Sequence, residues 1–379
     1  MSSSSVPLGD LVDITSGFAF SSKNFSEANG TPIIRIRDVA RGYTELRFDG
    51  DFDKKFLAQN DDLLVSMDGE FRVSEWRGGP ALINQRVCKI EPKNGKLDRR
   101  VLRHFLPKEL KEIEDKTPFV TVKHLSAKTI REIECPNIGI DEQRRIAAIL
   151  DKADAIRRKR QQALALADDF LKSVFLEMFG DPATADNYQH LGEHISFVTS
   201  GSRGWARFYS KTGSRFIRSL DVQMNHISDE EAVYVSAPNS AEADRCRVEV
   251  GDVLLTITGS KIGRVADVRE LPVETFISQH VAIIRLKKSL LPEFVSFFIS
   301  LPSLGQRQIE QVQYGQAKPG LNLTQIKEFR LPVPDMQEQQ AFLRILDSTR
   351  KAISKLQLEL SYSEDLFASL SQRAFRGEL

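Results

Sequence analysis

The sequence predicts an α+β chain of two pseudo-symmetric globular domains, each a curled β-sheet with short helices and each followed by a long helix. Three observations predict this class. A long amphipathic helical pattern occurs twice, from Asp141 to Gly180 and from Gln337 to Phe375. The motifs ahead of each helix also recur in the same order. Between those motifs the apolar runs are short, rich in Ile, Val, Leu and Phe, and punctuated by Gly, Asn, Asp and Ser, which reads as strands and turns. The boundaries implied are a first domain over 1–141, a central helix over 142–180, a polar linker over 181–190, a second domain over 191–336 and a C-terminal helix over 337–376.

The two helices align without a gap when Pro136 is set on Pro332. Glu142 then falls on Glu338, Gln143 on Gln339, Ile149 on Ile345, Leu150 on Leu346 and Asp151 on Asp347. In the first copy the apolar seam runs Ile146, Ile149, Ala153, Ile156, Ala163, Ala167, Phe170 and Val174, with Arg160 the one polar interruption. In the second it runs Phe342, Leu346, Thr349, Ile353, Leu356, Leu360, Phe367, Leu370 and Ala374, interrupted at Ser363. Alternating three- and four-residue steps approach a heptad repeat. No glycine or proline breaks either run; Gly180 with Pro182 stops the first and Gly377 the second. About 38 residues make a rod of roughly 57 Å. Such a seam must be covered. Each helix could pack on its own domain, but their length and duplication favour pairing with each other; connectivity permits either orientation.

The duplication extends through the globular parts. LGDLVDITSG (Leu8–Gly17) matches LGEHISFVTSG (Leu191–Gly201), IIRIRDV (Ile33–Val39) matches FIRSLDV (Phe216–Val222), and DDLLVSMDG (Asp61–Gly69) matches GDVLLTITG (Gly251–Gly259). INQRVCKI (Ile83–Ile90) matches ISQHVAII (Ile277–Ile284), and LSAKTIREIECP (Leu125–Pro136) matches LNLTQIKEFRLP (Leu321–Pro332). The offset grows from 183 (191 − 8) to 196 (332 − 136), so the second domain carries 13 extra loop residues. The segment FRVSEWRGGPAL shows no clear match to SKIGRVADVRELPV. One scaffold with divergent loops suits modules that read two different targets.

Composition bounds the class. The 379 residues are 41% hydrophobic and 28% charged, with net charge +1, so the chain can bury two cores and its overall charge does not single out a nucleic-acid partner. Cys88, Cys135 and Cys246 are few and far apart, which fits a reducing compartment and no disulfide framework. No secretory signal and no run of 18 apolar residues is present, so a cytoplasmic protein without a membrane association is expected.

Catalytic constellations are missing from the sequence. There is no G-x-x-x-x-G-K-[ST] phosphate cradle and no G-x-S-x-G elbow. Gly259-Ser-Lys-Ile-Gly263 reads as a turn with a basic tip, and His190 and His194 flank a strand start and not a metal site. Pro334-Asp335 lacks the downstream acidic and lysine residues of a nuclease, and there is no N/D-P-P-Y/F motif for holding a flipped base. No catalytic residue, metal or cofactor is therefore expected.

Basic and aromatic residues at strand ends and loops remain. In the first half these are Arg35, Arg37, Arg72, Trp76, Arg77, Arg86, Lys123 and His124; in the second, Arg203, Trp205, Arg207, Tyr209, Arg218, Lys261, Arg264, His280, Tyr314 and Lys318. Arginine binds guanine O6 and N7 bidentately and lysine neutralises phosphate, so these are candidate DNA contacts; for any one of them the alternative is an exposed solubilising charge. Arg157-Arg-Lys-Arg160 is a basic run without a basic match in the second helix, and reads as a solvated face, a partner contact or a contact to phosphates of unread DNA.

Each half opens on L-G-(D/E)-…-T-S-G, contains a (G/D)-D-(V/L)-L-(L/V) strand, and closes with P-x-(I/V)-x-x-x-E-Q, …-I-L-D and a long helix. In this order and duplication, and in the terminal F-R-G-E-L, the chain resembles the specificity subunit of Type I restriction–modification systems along essentially its whole length. The resemblance implies that each globular half is a target recognition domain for one half of a bipartite, asymmetric site in double-stranded DNA. It implies that the two helices pair as an antiparallel coiled coil that sets the unread spacer. It further implies docking of two modification (methyltransferase) subunits on the helices, with Glu142, Gln143, Ile146, Ile149, Leu150, Glu338, Gln339, Phe342, Ile345 and Leu346 as docking residues, and later joining of restriction (translocase and nuclease) subunits. Individual base contacts do not transfer, because recognition domains differ most where they touch DNA. The alternatives are a coiled-coil adaptor binding protein through its globular halves, an autonomous methyltransferase or nuclease, and a specificity subunit serving a related defence complex.

Overall fold

The computed structural model describes residues 5–93, 95–117, 123–180, 188–313 and 320–379. Contacts divide the chain into two units, Met1–Gln162 with Leu356–Leu379, and Ala163–Lys355. Each unit is α+β, as the sequence predicts.

In the first unit an antiparallel sheet is built from β1 (Val12–Ser16), β2 (Leu63–Ser66), β3 (Val73–Glu75) and β4 (Val87–Pro92), in the order β1-β4-β2-β3. Leu63, Leu64 and Val65 are fully buried, because one face of β2 lies on a helix and the other on a second sheet. That second sheet has five strands, with a parallel pair between Thr31–Ile34 and Ala81–Ile83. Helix α1 (Arg99–Lys116), capped by the Asp98 carboxylate on the Arg100 N–H, covers the first sheet with Leu102, Phe105 and Leu106. Helix α2 (Ile140–Phe179) follows.

The second unit repeats the plan. Strands β5 (Ile195–Ser200), β6 (Asp252–Thr256), β7 (Val265–Asp267) and β8 (Val281–Leu286) form an antiparallel sheet in the order β5-β8-β6-β7. A second sheet pairs Ser214–Ile217 in parallel with Thr275–Ile277. Helix α3 (Pro292–Ser300) places Phe294, Val295 and Phe298 on the first sheet, and helix α4 (Met336–Arg376) ends the chain. β3 and β7 hold the same place, Glu75 opposite Leu63 and Asp267 opposite Val253. The halves therefore match at FRVSEW and GRVADV, where the sequence shows no clear match, because the loops flanking this short edge strand differ in length and composition.

Of the residues expected as a linker over 181–190, the last three form a strand. Tyr188–His190 is a strand paired with Arg330–Pro332, as Ser5–Pro7 is with Glu134–Pro136, and residues 181–187 lie outside the described residues.

Within the first unit the start of α2 meets the end of α4: Ile146 and Leu150 are buried with Ala374, and Arg160 donates to the Glu359 carbonyl (2.8 Å). Within the second unit the end of α2 meets the start of α4: the Phe342 ring lies 5.3 Å from Phe175 and 5.7 Å from Phe179. Both sets of contacts run antiparallel. The expected seam of α4 is present, with Ser363 satisfied by donating to the Leu360 carbonyl (2.7 Å). The seam of α2 differs. Ile146 and Ala153 are buried as expected, but Ile156 and Phe170 are 46% and 50% exposed, and the buried face also takes in Ala147, Leu150 and Asp154, then Leu171, Phe175 and Phe179. In the first unit α2 is covered by its own domain as well as by α4, so the buried arc is wider than a two-helix seam and rotated by about one residue.

Candidate nucleic-acid interface

The two I-R-x-x-D-V segments form matching turns. The Arg35 N–H donates to Asp38 Oδ2 (2.9 Å) and the Arg218 N–H to Asp221 Oδ2 (2.7 Å). Their guanidinium groups fold onto the same buried carboxylates, Arg35 Nε at 3.5 Å from Asp38 and Arg218 Nη2 at 2.9 Å from Asp221. The Asp221 hydrogen bond raises the Arg218 pKa further. These two arginines brace their turns. Arg37 points outward, 60% exposed and 3.9 Å from Asp38.

Trp76 and Trp205, expected as surface readers, are core residues at 1% and 5% exposure. Each indole N–H finds a local acceptor, the Gly79 carbonyl (2.6 Å) for Trp76 and Ser202 Oγ (2.9 Å) for Trp205, which is what lets a tryptophan be buried. Trp205 also stacks on Phe216. The neighbouring arginines remain outside: Arg77 and Arg203 are exposed, Arg72 is paired with Glu70, and Arg207 lies over the Phe208 ring. Tyr209 is 52% exposed. Lys318 and Tyr314 lie outside the described residues.

The remaining candidates gather at one end of each four-stranded sheet. In the first unit, the turn after β2 brings Asp68 against His124 Nδ1 (2.7 Å) and Arg86 Nε (3.3 Å), and Lys123 donates to the Glu114 carbonyl beside it. In the second, the turn after β6 brings Thr258 Oγ1 against His280 Nδ1, with Lys261 on the same turn and Arg264 bonded to Gln223. Sequence reasoning missed Asp68 and Thr258, although both stand at one position of the aligned SMDG and TITG motifs.

The basic run singled out at Arg157 and Arg158 lines a groove of about 880 Å³ in the first unit, together with Arg41, Arg77, Lys108 and Phe367. Arg157 donates to Asp154 (2.6 Å) while lying over the Phe367 ring (4.9 Å). Deeper in, Asp151 accepts from Arg103 and faces His104 Nε2 at 2.7 Å. Burial holds the His104 imidazole below its ordinary 6.5, outweighing the Asp151 bond that raises it. The unfolded chain therefore takes up this proton first. Stability from His104 is complete above about pH 6.5 and is lost as pH falls toward the lower folded value. Melting temperature is expected to fall more for the native chain than for His104→Gln between about pH 7.5 and about pH 5.5; parallel pH profiles would exclude His104 as the cause.

The helix-start residues divide into two sets. Gln143 is buried: its amide donates to the Ile138 carbonyl (2.7 Å) and the Lys96 carbonyl (3.2 Å) and accepts from the Asp98 N–H (2.7 Å). Gln339 repeats this with Pro334, Ser289 and the Leu291 N–H, at 2.9, 2.9 and 2.8 Å. Ile146, Leu150, Phe342 and Leu346 are buried in the same units. These six, expected to dock partners, are all buried within their own units: Ile146 and Leu150 lie with Ala374, and Phe342 and Leu346 lie in the core of the second unit. Glu142, Ile149, Glu338 and Ile345 retain exposed surface.

Burial pushes the Cys88 and Cys135 thiols up to about 12 and about 11, so neither supplies a thiolate near neutrality. Among the described residues no group of three or more His, Cys, Asp or Glu could hold a metal ion, and no helix is long and apolar enough to cross a membrane.

A duplicated scaffold carrying different polar turns agrees with the family comparison. The model of the Type I restriction modification DNA specificity domain matches residues 3–166 and again 208–360. The chain belongs to this family. It is a DNA-specificity subunit of the Type I restriction–modification kind. It is 29% identical over 411 residues to the EcoBI specificity subunit of Escherichia coli, covering 99% of this chain and 85% of that one. It is 17% identical to the MjaVIII specificity subunit of Methanocaldococcus jannaschii, covering 78% and 73%. In fold it is similar to the crystal structure of the S subunit from M. genitalium, with a TM-score of 0.58, 15% identity and coverage of 98% and 96%. It is equally similar, at 0.58 and 14% identity, to a chain from structural work on assembly and conformational transition of the type I R-M system, covering 99% and 98%. The specificity fold thus accounts for both halves and both helices.

Proposed function

We propose that each globular half of this specificity subunit reads one half of a bipartite, asymmetric site in double-stranded DNA, and that α2 and α4 pair as an antiparallel coiled coil that fixes the unread spacer. The observation that carries this reading is the repetition of one sheet order, β1-β4-β2-β3 and β5-β8-β6-β7, under turns of different chemistry. Two similar but unequal modules suit two unequal half-sites. Helices of 40 and 41 residues are about 60 Å long, enough to span one to two turns of DNA.

The chain itself performs no chemistry in this reading, acts in the cytoplasm where the chromosome lies, and needs no cofactor. Two modification subunits dock on the helices and supply adenine methylation, and restriction subunits join them. Glu142, Ile149 and Ile345, which are half-buried, and the exposed Glu338 are the docking candidates, together with the outward apolar row Leu358, Tyr362 and Leu366, at helical spacing. Arg37, Arg72, Arg77, Lys123, His124, Arg203, Arg207, Tyr209, Lys261, Arg264 and His280 are the DNA-facing candidates, and the basic groove at Arg157 and Arg158 suits spacer phosphates.

The test is single-molecule sequencing of methylated DNA from a host carrying the cognate modification subunit, with and without this chain. A chain-dependent motif of two short halves and a fixed gap is expected. No chain-dependent motif, with a modification subunit shown to work alongside another specificity chain, would overturn the reading.

A further inference from the structure

The backbones at the turn ends of the two four-stranded sheets share four hydrogen bonds at matching positions. The Met67 N–H donates to the Arg86 carbonyl (2.8 Å), and the Ile257 N–H to the His280 carbonyl (2.9 Å). The Leu125 N–H donates to the Met67 carbonyl (2.7 Å), and the Leu321 N–H to that of Ile257 (2.8 Å). Val87 closes its turn on the Asn84 carbonyl (3.1 Å), and Val281 on that of Ser278 (3.0 Å). The Gly17 N–H reaches the Val87 carbonyl as the Gly201 N–H reaches that of Val281, at 2.8 and 3.2 Å. Isolated antiparallel bridges join Asp68 to His124 and Thr258 to Gly320. Arg86 and His280 are thus one structural position, as are Asp68 and Thr258.

The side chains on this shared frame are unlike. The first domain presents a guanidinium clamped by Asp68, whose other oxygen holds His124; Arg86 and His124 are 55% and 59% exposed, and Asp68 only 16%. The second presents an imidazole clamped by Thr258 and touched by Gln279 (3.0 Å). Arg86 also holds φ at +70°, a left-handed backbone that a side-chain-bearing residue adopts at a cost and that clusters at functional sites. The turn lies about 20 Å, the six-residue length of β4, from the Lys96–Asp98 segment where Gln143 anchors the long helix. It therefore sits at the end of the sheet away from the helix.

We infer that Arg86 and His280 are the corresponding specificity-determining residues of the two recognition domains, and that Arg86 reads a guanine in the first half-site. The inference rests on the function proposed above. An arginine held by a carboxylate is oriented to give two parallel N–H donors to guanine O6 and N7. The imidazole in the second domain cannot make that bidentate contact, so the equivalent base is read differently there.

The experiment repeats methylation sequencing in the complete system with Arg86→Ala, Arg86→Lys and the transplant Asp68→Thr/Arg86→His, alongside melting curves of each full chain. Arg86→Ala is expected to make one base pair of one half-site degenerate, with methylation at sites lacking guanine there rising roughly tenfold or more. The other half-site and the gap should not change. The transplant should replace the guanine by another preference at that same base pair. An unchanged motif in Arg86→Ala would overturn the inference. So would loss of methylation at every sequence that Arg86→Lys restores with the motif unrelaxed, since charge alone would then suffice. Loss of methylation with a lowered melting temperature would make the cluster a brace and not a reader. If the native chain itself directs no bipartite motif, the function reading fails first, which the native control reports separately.

Discussion

Phe342→Ala is expected to destabilise the Ala163–Lys355 unit by about 3–5 kcal/mol, the usual range for truncating a fully buried aromatic ring. Phe342 has no exposed surface and meets the rings of Phe175, Phe179, Phe294 and Phe297 at 5.3, 5.7, 6.2 and 5.1 Å. These rings come from α2, α3 and α4, so one residue joins both long helices to the domain helix. Native-state hydrogen exchange should lose protection across residues 171–179, 292–299 and 336–346, while α1 keeps its own. A loss below about 1 kcal/mol would mean that the cluster repacks, and that helix attachment rests elsewhere.

Asp252→Ala is expected to cost about as much, roughly 3–5 kcal/mol, by a different route. The carboxylate is wholly buried; it accepts from Arg285 Nε (2.8 Å) and Nη2 (2.9 Å) and from the Glu249 N–H (2.7 Å). Alanine leaves a turn N–H without its acceptor and the Arg285 guanidinium, 26% exposed, reliant on Glu249 Oε1 (2.7 Å), and that desolvation penalty outweighs the lost packing. The Asp252 hydrogen bond is the leading cause of the raised Arg285 pKa. Asp62, in the same turn of the first unit, is held less tightly: the Gln59 N–H at 2.8 Å, Arg99 at 3.2 Å and Lys89 at 3.7 Å. Asp62→Ala should therefore cost less. Urea titration of the two variants, with unchanged m-values, orders them; equal losses would show that the ion pair adds nothing beyond the capped turn.

The duplication, both helices and most strands were legible in the sequence because they rest on periodicity and on glycine and polar punctuation. What escaped was set by partners distant in sequence. Gln143 and Gln339 look like ordinary polar residues of a first helical turn, and only the folded chain brings the backbone groups of Lys96–Asp98 and Ser289–Leu291 to them. Their recurrence at one aligned position was the available clue. Asp154 sits in the buried face of α2 because Arg157 neutralises it, so a hydrophobicity pattern places the seam one residue away. Trp76 and Trp205 read as surface groups beside glycine and arginine, yet an acceptor three residues away hides each indole. The turn clusters were half legible: Arg86, His124 and His280 were visible by type, and the residues that aim them were not.

The first unit closes only when residues 356–379 join residues that precede them by 194 positions (356 − 162) or more. During synthesis, Phe105 and His104 leave the ribosome long before their ring partners Phe375 and Phe367 exist. The nascent first domain must wait with that apolar face open while the whole second domain is made. A premature stop codon late in the gene would thus injure the earliest-made half of the protein, and leave the more recently made one largely assembled.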